Sequence, residues 1–264
     1  MPFRSILLLC FLLNGAQAES FSQLADRYFD EVYFRFNPTA GTSAGFHQYD
    51  AKLEDYSKSA VDAEIAALHR FEKLFIDFDA RQLSQELRAD RELVLANIRA
   101  SLLNQENIRF WGKNPDRYSS GISSSVFTLI SRSFAPPAER LQSVVAREKQ
   151  MPQVFAAARA NLKNPPRIYT AVAIEQLPGI VSFFEKDVPL AFNNVHDARL
   201  IAEFNRTNHA VIDSLNQYAL FLKNDLLPRS HGDFRLGAEN FRRKLSYEEM
   251  VDTPLDQLLR IGYR

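Results

Sequence analysis

The sequence predicts an all-α protein, an irregular array of many helices, and three observations carry that prediction. Apolar residues recur at spacings of three and four through several long segments, the period of one helical face. Phenylalanine is heavily used, 21 residues against a single tryptophan, while glycine is sparse at 9; that balance suits long helices with tight connections rather than a turn-rich sandwich. No segment alternates apolar and polar residues as a strand would, no repeat of fixed period is visible, and no low-complexity linker interrupts the chain.

The first helix places Phe21, Leu24, Ala25, Tyr28, Phe29, Val32, Tyr33 and Phe36 on one face. At that spacing the aromatic stripe reads as core rather than as a ligand groove, and Asn37-Pro38 stops it. Residues 39–59 form a polar, turn-forming stretch. The helical period resumes with Val61, Ile65, Leu68, Phe71 or Glu72, Phe75 and Phe78, then with Leu83, Leu87, Val94, Ile98 and Leu102, predicting two antiparallel helices joined near Asp79. Residues 111–133 read as irregular, because Asn114-Pro115 turns and Ser119-Ser120-Gly121 and Ser123-Ser124-Ser125 have loop composition. Pro136-Pro137 opens another helix through Leu141, Val144, Val145, Phe155 and Leu162, broken or kinked at Pro152 and ended by Asn164-Pro165-Pro166. Pro178-Gly179 is expected to interrupt the helix that follows. Asp197 caps the longest segment, whose apolar face runs from Leu200 to Leu226 before Pro228 ends it. Thr253-Pro254-Leu255-Asp256 starts a last short helix.

With 264 residues the chain has room for one large domain or two small ones, and for a sizeable core. Its formal charge is zero, which argues against a nucleic-acid partner held by phosphate neutralisation. No apolar run reaches the roughly 18 residues of a membrane-spanning helix.

Residues 1–18 read as a cleavable signal peptide, leaving residues 19–264 as the helical domain. Arg4 is the positive start, the run from Ile6 to Leu13 the apolar middle, and Ala16-Gln17-Ala18 the small-residue cleavage site. Leu9 stands before Cys10, where lipid attachment wants a small residue, so a lipid anchor is not expected. Cys10 is the single cysteine, so the mature chain carries no disulfide and no thiolate ligand. The expected location is the periplasm or the medium, with no membrane association after cleavage.

The motifs that carry chemistry are incomplete. A metallopeptidase His-Glu-x-x-His helix needs two imidazoles one turn apart. None of His47, His69, His196, His209 and His231 is followed by glutamate, and no two stand four apart. A dispersed zinc set such as His47, Asp50, His231 and Asp233 is conceivable, although scattered loop histidines are more often surface residues. Gly41-Thr42-Ser43-Ala44-Gly45 matches the nucleophile-elbow pattern, but that motif requires a strand before it, and here a helical stripe precedes it. No glycine-rich phosphate loop is present. Glu248-Glu249, the Asp77 and Asp79 pair, and Arg242-Arg243-Lys244 read as solvated faces. The sequence therefore assigns no catalytic, cofactor-binding or metal-ligating residue to this chain.

Read in order, several segments resemble the N-terminal half of a bacterial family known as domain of unknown function 885. They are Pro38-Thr39, Thr42, Gly45, His47, Tyr49-Asp50 and Leu53; Asn114-Pro115 and Tyr118; and Arg132-Ser133-Phe134-Ala135-Pro136. Ala158-Arg159, Asn161-Leu162 and Pro165-Pro166 follow, then Leu226-Leu227-Pro228-Arg229, Gly232-Asp233-Phe234-Arg235-Leu236-Gly237 and Phe241. The resemblance implies one lobe of a larger helical fold similar to zinc metallopeptidases, whose zinc-binding His-Glu motif lies in the C-terminal half, beyond Arg264. It thus implies an exported N-terminal fragment of a zinc-dependent peptidase-like protein, not catalytic on its own, with zinc and a peptide substrate belonging to the full-length protein and the missing half as a partner. The alternative is a free-standing exported helical binding module without enzymatic activity. Residues 45–50 and 229–237 are the candidate cleft or inter-lobe loops.

Overall fold

A computed structural model describes residues 19–263; the signal segment 1–18, with Cys10 and Ala16-Gln17-Ala18, lies outside the described residues, as does Arg264. The described residues form an all-α array without a named strand. Ser20 caps α1 (Phe21–Tyr28) with a reciprocal Gln23 bond, and a π turn (Phe29–Tyr33) carries the rod into α2 (Phe34–Phe36). Its aromatic stripe packs on α4 (Lys58–Asp77) and α5 (Gln85–Leu102), which Ser57 and Ser84 cap. Phe21 meets Phe75 and Phe78 edge-on at 6.0 and 5.7 Å, and the Tyr28 hydroxyl donates to Asn97 Oδ1 at 2.8 Å. This is one of two apolar cores, and here sequence period and structure agree except at the π turn, where Phe29 of the predicted stripe is exposed and Phe34, outside that stripe, is buried.

Three expectations are corrected. Within the polar stretch 39–59, α3 (Pro38–Ser43) and a 3-10 turn (His47–Tyr49) form. Asn37-Pro38 ends one helix and begins the next, because proline at a first position lacks an N–H that would be orphaned anyway. Residues 111–133 are mostly helix: α6 (Phe110–Lys113) is short, but α7 (Asp116–Ile130) runs straight through the serines. Tyr118, Ile122, Val126 and Leu129 are fully buried at spacings of three and four. Burial at roughly 1.5–3 kcal/mol per side chain outweighs the roughly 0.5–1 kcal/mol lost per serine or glycine. The hydroxyls also turn inward onto the helix, Ser120 donating to Asp116 O and Ser125 to Ile122 O, both at 2.7 Å. The third correction is Pro178, which sits inside α10 (Arg167–Ser182) without ending it; Thr170, Ala173 and Leu177 are buried along that helix.

The second, larger core is built by α7, α8 (Pro137–Glu148), α9 (Met151–Asn161), α10 and α12 (Ala198–Phe221). Pro152 separates α8 from α9 as its position predicts. A π turn (Phe183–Asp187) and α11 (Val188–Ala191) lead to Asp197, whose carboxylate accepts from the Arg199 and Leu200 amides to cap α12. After a further π turn (Leu222–Leu226), α13 (Ala238–Glu249) lies against α5, and α14 (Leu255–Gly262) is the last element. A clasp joins distant parts of the larger core. The Gly232 amide donates to Pro165 O at 3.0 Å and the His231 amide to Asn164 Oδ1 at 2.8 Å, while Arg229 donates to Leu162 O at 3.2 Å. A Cβ on Gly232 would lie 2.9 Å from the Pro165 carbonyl carbon, so only glycine fits there.

Arg147 and Glu148 end α8 inside the protein. Arg147 has no exposed surface; its guanidinium donates to Thr42 Oγ1 at 2.7 Å, to Tyr49 O at 3.3 Å, to Thr128 Oγ1 at 3.3 Å and to Ser125 O. It thereby ties the 38–56 segment to α7 and α8. Burial lowers its pKa, while Glu54 and Asp50 oppose that effect. Glu148 lies with Oε2 2.5 Å from Thr207 Oγ1, and burial pushes its carboxyl up to about 8. The Thr207 hydroxyl also reaches Phe204 O at 3.1 Å. A neutral Glu148 that donates to Thr207, which donates in turn to Phe204, uses the single Thr207 hydroxyl hydrogen once, while Glu148 Oε1 stays buried with no hydrogen-bond partner among the described residues.

Two outcomes follow from this buried pair. Arg147→Met leaves four acceptors without their donor and should cost about 2–4 kcal/mol in urea denaturation, with faster proteolysis at residues 38–56. For Glu148 the native state holds a proton that the unfolded state releases near its ordinary 4.5. Stability should therefore fall as pH rises between those two values, by as much as about 3–5 kcal/mol. Denaturation curves at both ends of the window should show a smaller loss for Glu148→Gln than for the parent chain.

Candidate functional site

The most developed surface feature is a groove beside the segment that Arg147 holds. Its geometry starts with Gly45, whose φ of +90° turns the chain after α3. The Tyr49 ring packs flat on α3: a Cβ on Gly41 would stand 2.7 Å from Tyr49 Cδ2, so the small residue is needed for this approach. With Thr42 and Tyr49 both bonded to Arg147, the intervening 3-10 turn projects His47 outward.

His47 is oriented on two sides. Its Nδ1 lies 3.0 Å from Asp50 Oδ2, and its ring stacks on Phe134 at 4.2 Å between centroids with an interplanar angle of 16°. In the neutral ring, a carboxylate partner, which only accepts, puts the hydrogen on Nδ1 and leaves Nε2 with its lone pair. Asp50 is 7% exposed and is itself within the field of Arg147; its Oδ1 is buried with no hydrogen-bond partner among the described residues. A cavity of about 600 Å3 opens on one side of the His47–Phe134 stack, with Gln48, Glu139 and Gln142 on its walls. A second hollow of about 280 Å3 also touches His47 and Phe134, bordered by Phe127, Ser131 and Arg132. The arrangement can offer an oriented imidazole base and hydrogen-bonding walls to a ligand lying along the groove.

The dispersed zinc set does not assemble. His47 and Asp50 come together, whereas His231 belongs to the clasp against Asn164 and Asp233 pairs with Arg235 at 2.9 Å. Among the described residues no group of three or more His, Cys, Asp or Glu side chains is placed to hold a metal ion. The Gly-x-Ser-x-Gly match lies at the end of α3, where Ser43 donates back to Thr39 O at 3.0 Å as an ordinary helical serine. Asp77 pairs with Lys73 at 2.6 Å and Arg242 with Glu239 at 2.8 Å on exposed faces. Sequence reading missed Arg147 and Glu148. The available signal was a pair of charges falling on the stripe of Arg140, Leu141, Val144 and Val145, all of them buried.

The family model described as "Bacterial protein of unknown function (DUF885)" matches residues 38–264. The chain belongs to this family. Its fold is that of a solved protein from Shewanella oneidensis, described as a candidate lipoprotein of unknown function, with a TM-score of 0.82 and 24% identity. The match covers 93% of this chain and 45% of the other, so the chain spans less than half the length of that structure. A search of curated proteins finds no match. In this DUF885 chain the residues that carried the resemblance have visible tasks. Asn114 Oδ1 accepts from the Asp116 amide, Tyr218 donates to Pro115 O at 2.8 Å, and Asn161 donates to Tyr56 O and to the Tyr118 hydroxyl. Those positions hold the frame; His47 faces the groove.

Asp50→Asn replaces an obligate acceptor by a side chain that can also donate. Long-range 1H–15N spectra should show the Nδ1–H tautomer of His47 in the parent chain and a growing Nε2–H population in the variant. An unchanged tautomer would detach His47 from Asp50.

Proposed function

We propose that this chain forms the N-terminal, non-catalytic helical lobe of an exported zinc-dependent peptidase-like protein, and that its His47 groove forms part of the wall facing a peptide. The observation that supports this most directly is the structural match, in which this fold accounts for 45% of a longer chain. The last elements add to it. Neither α13 nor α14 has a buried residue, and Leu259 and Ile261 are 60% and 57% exposed. Leu255, Leu258 and Leu259 share one face of α14, and Phe234, Phe241 and Met250 are also exposed. Apolar side chains grouped in this way are those a second lobe would cover. A sealed polar surface, which a free-standing binding module would present, is not what these residues make.

A zinc ion does not fit the residues present, since the described side chains include no ligand set for it. The chemistry of hydrolysis therefore belongs to the other lobe in this reading. Export rests on residues 1–18. No helix among the described residues is long and apolar enough to cross a membrane.

The test uses residues 19–264. The chain should self-associate in sedimentation experiments, and Leu259→Glu with Ile261→Glu should render it monomeric with unchanged circular dichroism. It should not hydrolyse a peptide library in the presence of zinc. A parent chain already monodisperse, or one that cleaves peptides, would overturn the lobe reading.

A further inference from the structure

A third hollow, of about 290 Å3 and bordered by Asn37 and Thr39, is lined by Arg117. Arg117, in the first turns of α7, makes no hydrogen bond or salt bridge among the described residues. Its Nε is buried and unsatisfied. The guanidinium carbon stands 5.7 Å from the centre of the Tyr56 ring, which is buried against α7. Tyr56 is locked there because Gly121 leaves space for its hydroxyl and Asn161 holds its carbonyl. The cation is therefore positioned but not neutralised by contact.

The surrounding groups decide which ligand fits. Glu54 also borders the hollow, but its two oxygens accept from the Thr39 amide and hydroxyl at 3.0 and 2.9 Å. Glu64, whose carboxyl feels the Arg117 charge, is bonded to Gln105 at 2.6 Å. Ser124 brings a hydroxyl to the same wall, and Asn37 an amide, one of whose N–H groups already donates to Tyr33 O at 2.9 Å. A planar guanidinium fork matches a carboxylate in bidentate fashion. Two nearby acidic side chains repel a doubly charged oxyanion more than a singly charged one.

We propose that the Arg117 hollow is a binding site for a monoanionic carboxylate, with Arg117 as its fork and Ser124 and Asn37 as flanking donors. The site stands apart from the His47 groove and does not depend on the lobe reading. It places a carboxylate-recognising point on the same N-terminal segment that Arg147 fixes.

The probe is N-acetylalanine, with N-acetylalaninamide and inorganic phosphate as comparisons, followed through the Arg117 Nε–H signal in 1H–15N spectra of residues 19–264. The acid should shift that signal saturably, with the amide and phosphate weaker by about tenfold or more, since each lacks the charge or shape of the fork's partner. Arg117→Gln should abolish the response of neighbouring signals while keeping the melting temperature, and Arg117→Lys should weaken it about tenfold. An unmoved Nε–H signal in the parent chain overturns the proposal whether or not the variants fold. Equal binding of the amide, or of phosphate, overturns the carboxylate assignment.

Discussion

Arg147 is the cation around which the N-terminal segment is arranged. Taking a guanidinium out of water is costly unless its donors are met, and three of its acceptors come from two separate parts of the chain. Ser125 belongs to α7, whereas Thr42 and Tyr49 belong to the segment that links the two apolar cores. That segment has little apolar burial of its own beyond Tyr49, Leu53 and Tyr56. Its shape is therefore a consequence of polar satisfaction, and the three hollows described along it border a segment held by this one side chain.

Much of the helical array was legible in the sequence because burial and period coincide. The stripes of α1, α4, α5 and α12 are long, and the cap at Asp197 stands where the sequence places it. The misread segments fail for identifiable reasons. Serine runs carry turn composition, yet in α7 Ser119 and Ser125 are fully buried beside the apolar stripe and Ser124 faces solvent. Pro178 is a helix breaker by local rule and is overruled by the core on either side. Four π turns among the described residues also advance the helical phase by one residue, so a stripe read at constant period drifts off its face.

The candidate site was less legible than the fold. His47 and Asp50 were visible as a pair three apart, but the partner that makes them a site, Phe134, is 87 residues away. Arg117 offered no motif at all, because its distinction is the absence of a bond rather than a pattern. Family resemblance marked many positions without separating those that brace from those that face solvent. In the structure the separation is plain: Tyr118 and Asn161 are spent on each other and on backbone carbonyls and Asn114 on a backbone amide, while His47 Nε2 faces the groove.

The clasp at Gly232 has a kinetic consequence. Asn164 and His231 are separated by 67 positions, and closing a flexible loop of that length costs about 4 kcal/mol in chain entropy. The few hydrogen bonds of the clasp cannot meet that cost alone. It must close after α10 and α12 have already docked, which makes it a late event in folding. The stretch leading to α13 and α14 is anchored at that point, so the exposed apolar end of the chain takes up its position only once the larger core behind it is complete.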